Sequence, residues 1–171
     1  MTELEAREFC RKTNTLLRLA DDNSIYFDTD EECSFEIESP SDFRHIGFLS
    51  KGLTQTTKNG GLLWFRIMYG ADGLNESGIR VLESLRRAHA DTTSLNAAPA
   101  QLFDNEDELD LQVALMQIIG NGWNAYFVPT SAKFAVSFRS SHRFNCYSDG
   151  KAAHDHLMAL LKEWSPREVN N

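Results

Sequence analysis

Two runs near the C-terminal end constrain the chain most: Phe134-Ala135-Val136-Ser137-Phe138-Arg139 and Arg143-Phe144-Asn145-Cys146-Tyr147, separated by Ser140-Ser141-His142. Side chains alternate along a strand, so antiparallel pairing has to keep the apolar set on one face. A two-residue loop pairs Phe138 with Arg143 and breaks that face. A three-residue loop pairs Phe138 with Phe144 and Val136 with Cys146, and preserves it. The same choice sets Arg139 opposite Arg143 on the other face. A preceding strand over 123–128, joined through Pro129-Thr130-Ser131-Ala132, pairs Phe127 with Phe134 and Ala125 with Val136.

Like charges directly opposite one another destabilise a sheet unless a counter-charge intervenes. The arginines therefore either reach an acidic side chain elsewhere or grip an anion. On the second reading, Tyr126, Ser137, Arg139, Arg143, Asn145 and Tyr147 form a ligand platform, with guanidinium forks for phosphate or carboxylate.

Patterning elsewhere predicts an α+β fold with antiparallel sheets. Thr2 with Glu5 suits a capping box for a helix over 2–20, with Phe9, Leu16, Leu17 and Ala20 on one face. Ile25 and Phe27, then Cys33, Phe35 and Ile37, predict an acidic hairpin pairing Phe27 with Cys33 and Ile25 with Phe35. Residues 39–53 hold a short helix, and Lys58-Asn59-Gly60-Gly61 a loop. The apolar run 62–69 reads as a strand buried on both faces, followed by a helix to about residue 90. After a connection over 91–103 come a helix over 106–119, three strands, and a helix over 150–164 with Leu157, Leu161 and Trp164 inward. Leu109, Leu111, Val113, Leu115, Met116, Ile118 and Ile119 cover most of the circumference of the helix over 106–119 and predict deep burial. The halves then read as two pseudo-repeated helix–three-strand–helix lobes, 1–95 and 100–171, with an insertion at about 40–61. The 171 residues are expected to form a single compact unit.

Charge is unevenly spread. From Asp21 to Asp42 nine acids stand without a base, within a net charge of −8. This is either a solvated edge or a negative surface for a basic partner. The cluster Asp104, Glu106, Asp107, Glu108 and Asp110 suits a helix N-terminus.

Motifs for catalysis are absent. Gly70, Gly73 and Gly78 match no phosphate-loop spacing and lack a following lysine. Asp28-Thr29-Asp30-Glu31-Glu32 begins like a calcium loop but has Cys33 where glycine is required. His142 and Cys146 share a strand face at roughly 13 Å, too far for a nucleophile–base pair. His154 and His156 point about 200° apart on a helix. No catalytic set, metal site or cofactor is expected. With three scattered cysteines, no apolar run long enough for a bilayer and no secretory start, a cytoplasmic setting is the expectation.

The helix–three strands–helix order over 106–164 is similar to that of double-stranded RNA-binding domains, although only Lys151 remains of their helix-start lysines. Residues 133–155 resemble plant-type DNA-binding domains that lay three strands in the major groove. By size and charge the chain is also similar to type III secretion chaperones. The expected function is that of a non-enzymatic interaction protein (adaptor, inhibitor or chaperone type) with a protein partner. A homodimer is one form of it, joining the acidic hairpin face (Tyr26, Asp28, Glu32, Ser34, Glu36) to the basic face (Tyr126, Lys133, Arg139, Arg143). The alternatives are a nucleic-acid-binding module using the Arg139/Arg143 face, disfavoured by net charge, and an unrecognised enzyme.

Overall fold

The computed structural model describes residues 1–13, 15–20, 24–57, 60–65, 76–130, 133–140 and 142–162. Among these residues, five α-helices, α1 (Glu3–Lys12), α2 (Phe43–Gln55), α3 (Glu76–Ala88), α4 (Glu108–Asn121) and α5 (Lys151–Lys162), accompany eight strands. The strands are β1 (Leu17–Leu19), β2 (Ile25–Phe27), β3 (Ser34–Glu38), β4 (Gly61–Phe65), β5 (Ala100–Phe103), β6 (Ala125–Pro129), β7 (Phe134–Arg139) and β8 (Arg143–Ser148). The fold is α+β and its sheets are antiparallel: a ribbon β1-β2 and a six-stranded sheet in the order β3-β8-β7-β6-β4-β5.

Alternation decides what each sheet face carries. One face presents Ile37, Phe144, Cys146, Val136, Phe138, Ala125, Phe127, Leu63, Phe65 and Phe103 to a layer built from the other helices, with Leu49, Leu53, Leu82, Leu115, Ile118 and Leu161 meeting them in one buried cluster. The opposite face carries Leu62, Trp64, Ala100, Tyr126 and Val128, which cluster with Ala6, Cys10 and Leu17 of α1 and β1. The unbroken apolar run of β4 explains this second layer. Each large apolar side chain left on an open sheet face forgoes about 1.5–3 kcal/mol of burial, so both faces must be covered. All five residues of β4 are buried.

Several expectations change. The first helix stops at Lys12 and gives way to β1 instead of running to Ala20. Its capping box forms as expected: Thr2 N–H donates to Glu5 Oε2 (2.7 Å), and Glu5 N–H to Thr2 Oγ1 (3.3 Å). At the other end Thr13 begins a stretch of hydroxyl and amide side chains, and its hydroxyl bonds back to Phe9 O, a competition that favours helix ends over interiors. Leu17 and Leu19, spaced by two, then satisfy a strand better than a helix.

The acidic hairpin does not form. β2 pairs with β1 (Leu17↔Phe27, Leu19↔Ile25), and β3 pairs with β8 (Phe35↔Cys146, Ile37↔Phe144). Pairing with β8 gives Phe35 and Ile37 an existing apolar face and gives Glu36 and Glu38 basic neighbours, which the hairpin offers to neither. The meander keeps its expected loop: Phe138↔Phe144, Val136↔Cys146 and Arg139↔Arg143 are paired, with His142 at φ 54° supplying the left-handed turn residue. The β6–β7 register is shifted by two, to Phe127↔Val136 and Ala125↔Phe138, which leaves the faces unchanged because the period is two.

Residues 43–55 form a full helix under the sheet, and the expected connection over 91–103 contains the edge strand β5. Strands from both halves interleave in one sheet. α4 ends at Gly122, φ 63°, as its sequence implies. Its expected deep burial fails at Leu109, which is 70 % exposed in the first turn of α4. The Gly70–Gly73 turn, Lys58-Asn59, residues 66–69 of the strand expected over 62–69, and Trp164 lie outside the described residues.

Candidate functional site

The registers of β3, β8, β7 and β6 place the polar residues of the second sheet face on a grid. One row reads Glu38, Arg143, Arg139. The next reads Glu36, Asn145, Ser137, Tyr126. The third reads Ser34, Tyr147, Ala135. Glu38, Arg143 and Arg139 are exposed, Glu36, Asn145 and Tyr147 half-buried, and Ser137, Ala135 and Tyr126 buried. The six residues expected as a platform therefore share one face, with Tyr126 and Ser137 at its covered end. Phe27 of the ribbon makes that cover. Its ring stacks on Tyr147 (centroids 3.9 Å apart, 6° between planes) and meets Tyr126 edge-on at 5.8 Å.

The paired arginines have found carboxylates. Arg143 Nη1 donates to Glu36 Oε1 at 2.8 Å. With the Asn145 amide oriented to satisfy its neighbours, its nitrogen donates to Glu36 Oε2 (3.1 Å) and its oxygen accepts from Arg139 Nη2 (2.9 Å) and Tyr147 Oη (3.3 Å). Glu36 and Asn145 thus link both guanidinium groups across three strands. Two glutamates beside two arginines leave the face close to neutral. The acidic and basic patches meet here within one molecule. Glu36, Glu38 and Phe27 were the residues missed from sequence. The available signal was the alternation of Glu36 and Glu38 with Phe35 and Ile37, a match in face and opposite in sign to Arg143-Phe144-Asn145-Cys146.

Among the described residues, His89, Asp107 and Asp110 form a cluster of metal-ligating type. His89 spends one ring nitrogen on each carboxylate: Nε2 lies 2.7 Å from Asp110 Oδ2 and Nδ1 3.5 Å from Asp107 Oδ1. Both contacts are best made by an imidazolium, which carries a proton on each nitrogen. A metal ion would forfeit one of them. The trio is an ion-pair clamp between the end of α3 and the start of α4. The hydrogen bond to Asp110 raises the His89 pKa, with the charges of Asp107, Asp110 and Asp104 adding to it.

A raised folded-state pKa means the clamp stabilises fully below the unfolded value of about 6.5 and is lost as pH rises through the folded value. His89 is about a third exposed, so His89→Gln is expected to cost at most about 1 kcal/mol at pH 6 and nothing at pH 9. Urea unfolding of both proteins at the two pH values checks this; an equal loss at pH 9 refutes it.

Burial pushes the Cys10 thiol up to about 11 and raises that of fully buried Cys146. A cleft of about 480 Å³ lies between the end of α2 and the start of α4, lined by Thr54, Thr57, Asp104 and Glu108 among others. Both threonine hydroxyls already donate to helix carbonyls, Lys51 O and Thr54 O. No helix among the described residues is long and apolar enough to cross a membrane. Comparison with protein-family models, curated proteins and solved structures finds no match to this chain.

Proposed function

We propose that the chain is a non-enzymatic interaction protein that recognises a protein partner through the open corner of its sheet, at Glu36, Glu38, Arg139, Arg143, Asn145 and Tyr147. The observation that carries the reading is the uneven cover of the sheet. One face packs against the helix layer, while on the other α1 and the ribbon cover the β4–β6 side and stop at Phe27. What remains is a rigid, hydrogen-bonded array of alternating charge with an aromatic border. Such an array specifies a complementary surface, since misplaced partners meet like charges. Its near-neutral balance gives a nucleic-acid backbone little to attract it. A second copy of the chain is one form such a partner can take.

Arg139 is the variant of choice because it is exposed and sits at the end of the network. Immobilised wild-type protein is expected to retain a partner from its native source that Arg139→Glu loses at least tenfold. Lys51→Glu, exposed on the opposite layer, is expected to retain it. Equal retention by all three refutes the proposed face. Light scattering assigns the partner to a second copy if the wild type is dimeric and Arg139→Glu monomeric.

A further inference from the structure

We propose that the outer edge of β3 takes up an extended, basic segment of a partner protein as a seventh strand of the sheet, antiparallel to β3. This rests on the chain's being an interaction protein and gives the chemistry of what it binds. β3 ends the strand order, and its backbone polarity can be fixed. Ser39 N–H donates to His142 O at 2.7 Å, continuing the β3–β8 register by one pair. Hydrogen-bonded pairs recur every second residue in an antiparallel ladder, so Phe35 and Ile37 direct their backbone groups to β8. Ser34, Glu36 and Glu38 direct theirs outward. The Ser34 N–H is taken by Glu31 O, which closes the turn before the strand and leaves the Glu36 N–H and C=O at the centre of the edge. The opposite edge differs. At β5, Met1 exchanges both backbone bonds with Ala100, which covers part of that strand.

Edge strands are commonly protected by charged side chains, proline or a bulge. β3, Ser-Phe-Glu-Ile-Glu, uses charge alone, and that charge is all negative, which bars like-charged strands and admits a basic one. The turn leading into it adds Asp30, Glu31 and Glu32, exposed and without an ion-pair partner among the described residues. Charge complementarity therefore selects a basic occupant. It also selects against a second copy at this edge: antiparallel self-pairing centred on Glu36 sets two Glu36 carboxylates directly opposite each other. The Glu36 carboxylate keeps acceptor sites beyond its bonds to Arg143 and Asn145, so it can receive an added ammonium. On the helix side the incoming strand meets half-buried Phe35, which favours apolar residues at the alternate positions. Main-chain bonds supply affinity in such strand addition, and the alternate side chains supply specificity.

The test uses the full chain and a fluorescent probe peptide in which lysine and valine alternate over seven residues. The lysine opposite Glu36 forms the hydrogen-bonded pair, so the lysine amides face β3 and the valine amides face solvent. The parent peptide is expected to bind at low salt. N-methylation of its lysine amides should weaken binding at least tenfold, and N-methylation of its valine amides should leave it within about threefold. Glu38→Lys should weaken it severalfold. No binding of the parent, or equal binding of both N-methylated forms, overturns the proposal. If the probe fails while a native partner is still lost with Arg139→Glu, the edge is wrong and the sheet-face function stands. If the probe binds as expected while the partner ignores Arg139→Glu, the edge stands and the face does not.

Discussion

Gly60→Ala is expected to unfold the protein or to destabilise it by at least about 4 kcal/mol, lowering Tm by more than about 10 °C. Gly60 has φ +73°, and a Cβ there would lie 1.9 Å from the Phe103 carbonyl oxygen and 2.8 Å from Asp104 Cα. Both obstacles are backbone, so no side-chain rotation relieves them. The contact lies where β4 begins beside the end of β5, and Thr130 N–H also donates to Gly60 O at 3.1 Å. A shift there disturbs the ladder on either side of β4. Gly150 supplies the control: its φ is +86°, with nothing within 4 Å of an added Cβ. Gly150→Ala should therefore cost only the left-handed backbone penalty, about 1–2 kcal/mol. Thermal unfolding of the two variants measures the contrast, and equal losses would show that conformation, not contact, governs Gly60.

Arg86 is expected to separate charge from volume. It is 1 % exposed; Nη2 donates to Ala100 O at 3.3 Å, while the buried Nη1 has no hydrogen-bond partner among the described residues. Burial lowers its pKa, and the nearby charges of Asp91 and Glu83 act in the opposite direction. A buried cation held by charges it does not touch contributes little to stability, and an apolar side chain of similar volume often serves as well. Arg86→Met is expected to lie within about 1 kcal/mol of wild type or above it. Arg86→Ala leaves a cavity and should lose about 3 kcal/mol, or roughly 6–12 °C in Tm. Urea titration decides: if methionine loses as much as alanine, the polar contacts of the guanidinium outweigh its volume.

Local patterning made much of the second half legible. The period-two run 134–147 has one loop length that keeps Phe138, Val136, Phe144 and Cys146 together, and that loop sets Arg139 against Arg143. The Thr2–Glu5 capping box and the stop at Gly122 were equally local, since each needs only neighbours within one helical turn. The run 62–69 announced burial on both faces, which β4 shows over Gly61–Phe65, but not what would cover them.

The candidate site was half legible for the same reason. Arg139, Arg143, Asn145 and Tyr147 share a face by alternation alone. Their counter-charge comes from Glu36, 107 residues away in sequence from Arg143. Alternation assigns a strand's faces but not its neighbour. Phe35 and Ile37 suit an apolar partner in β2 as well as in β8, and short hairpin closure favours the nearer one by pattern. Tertiary structure decided for β8, because there the same register buries Phe35 and Ile37 against the helix layer and sets Glu36 beside Arg143. Sequence by itself determined which residues alternate and where chains turn, both set by bonds between near neighbours. Which strand each edge meets was decided only when the whole sheet could satisfy apolar burial and charge pairing together.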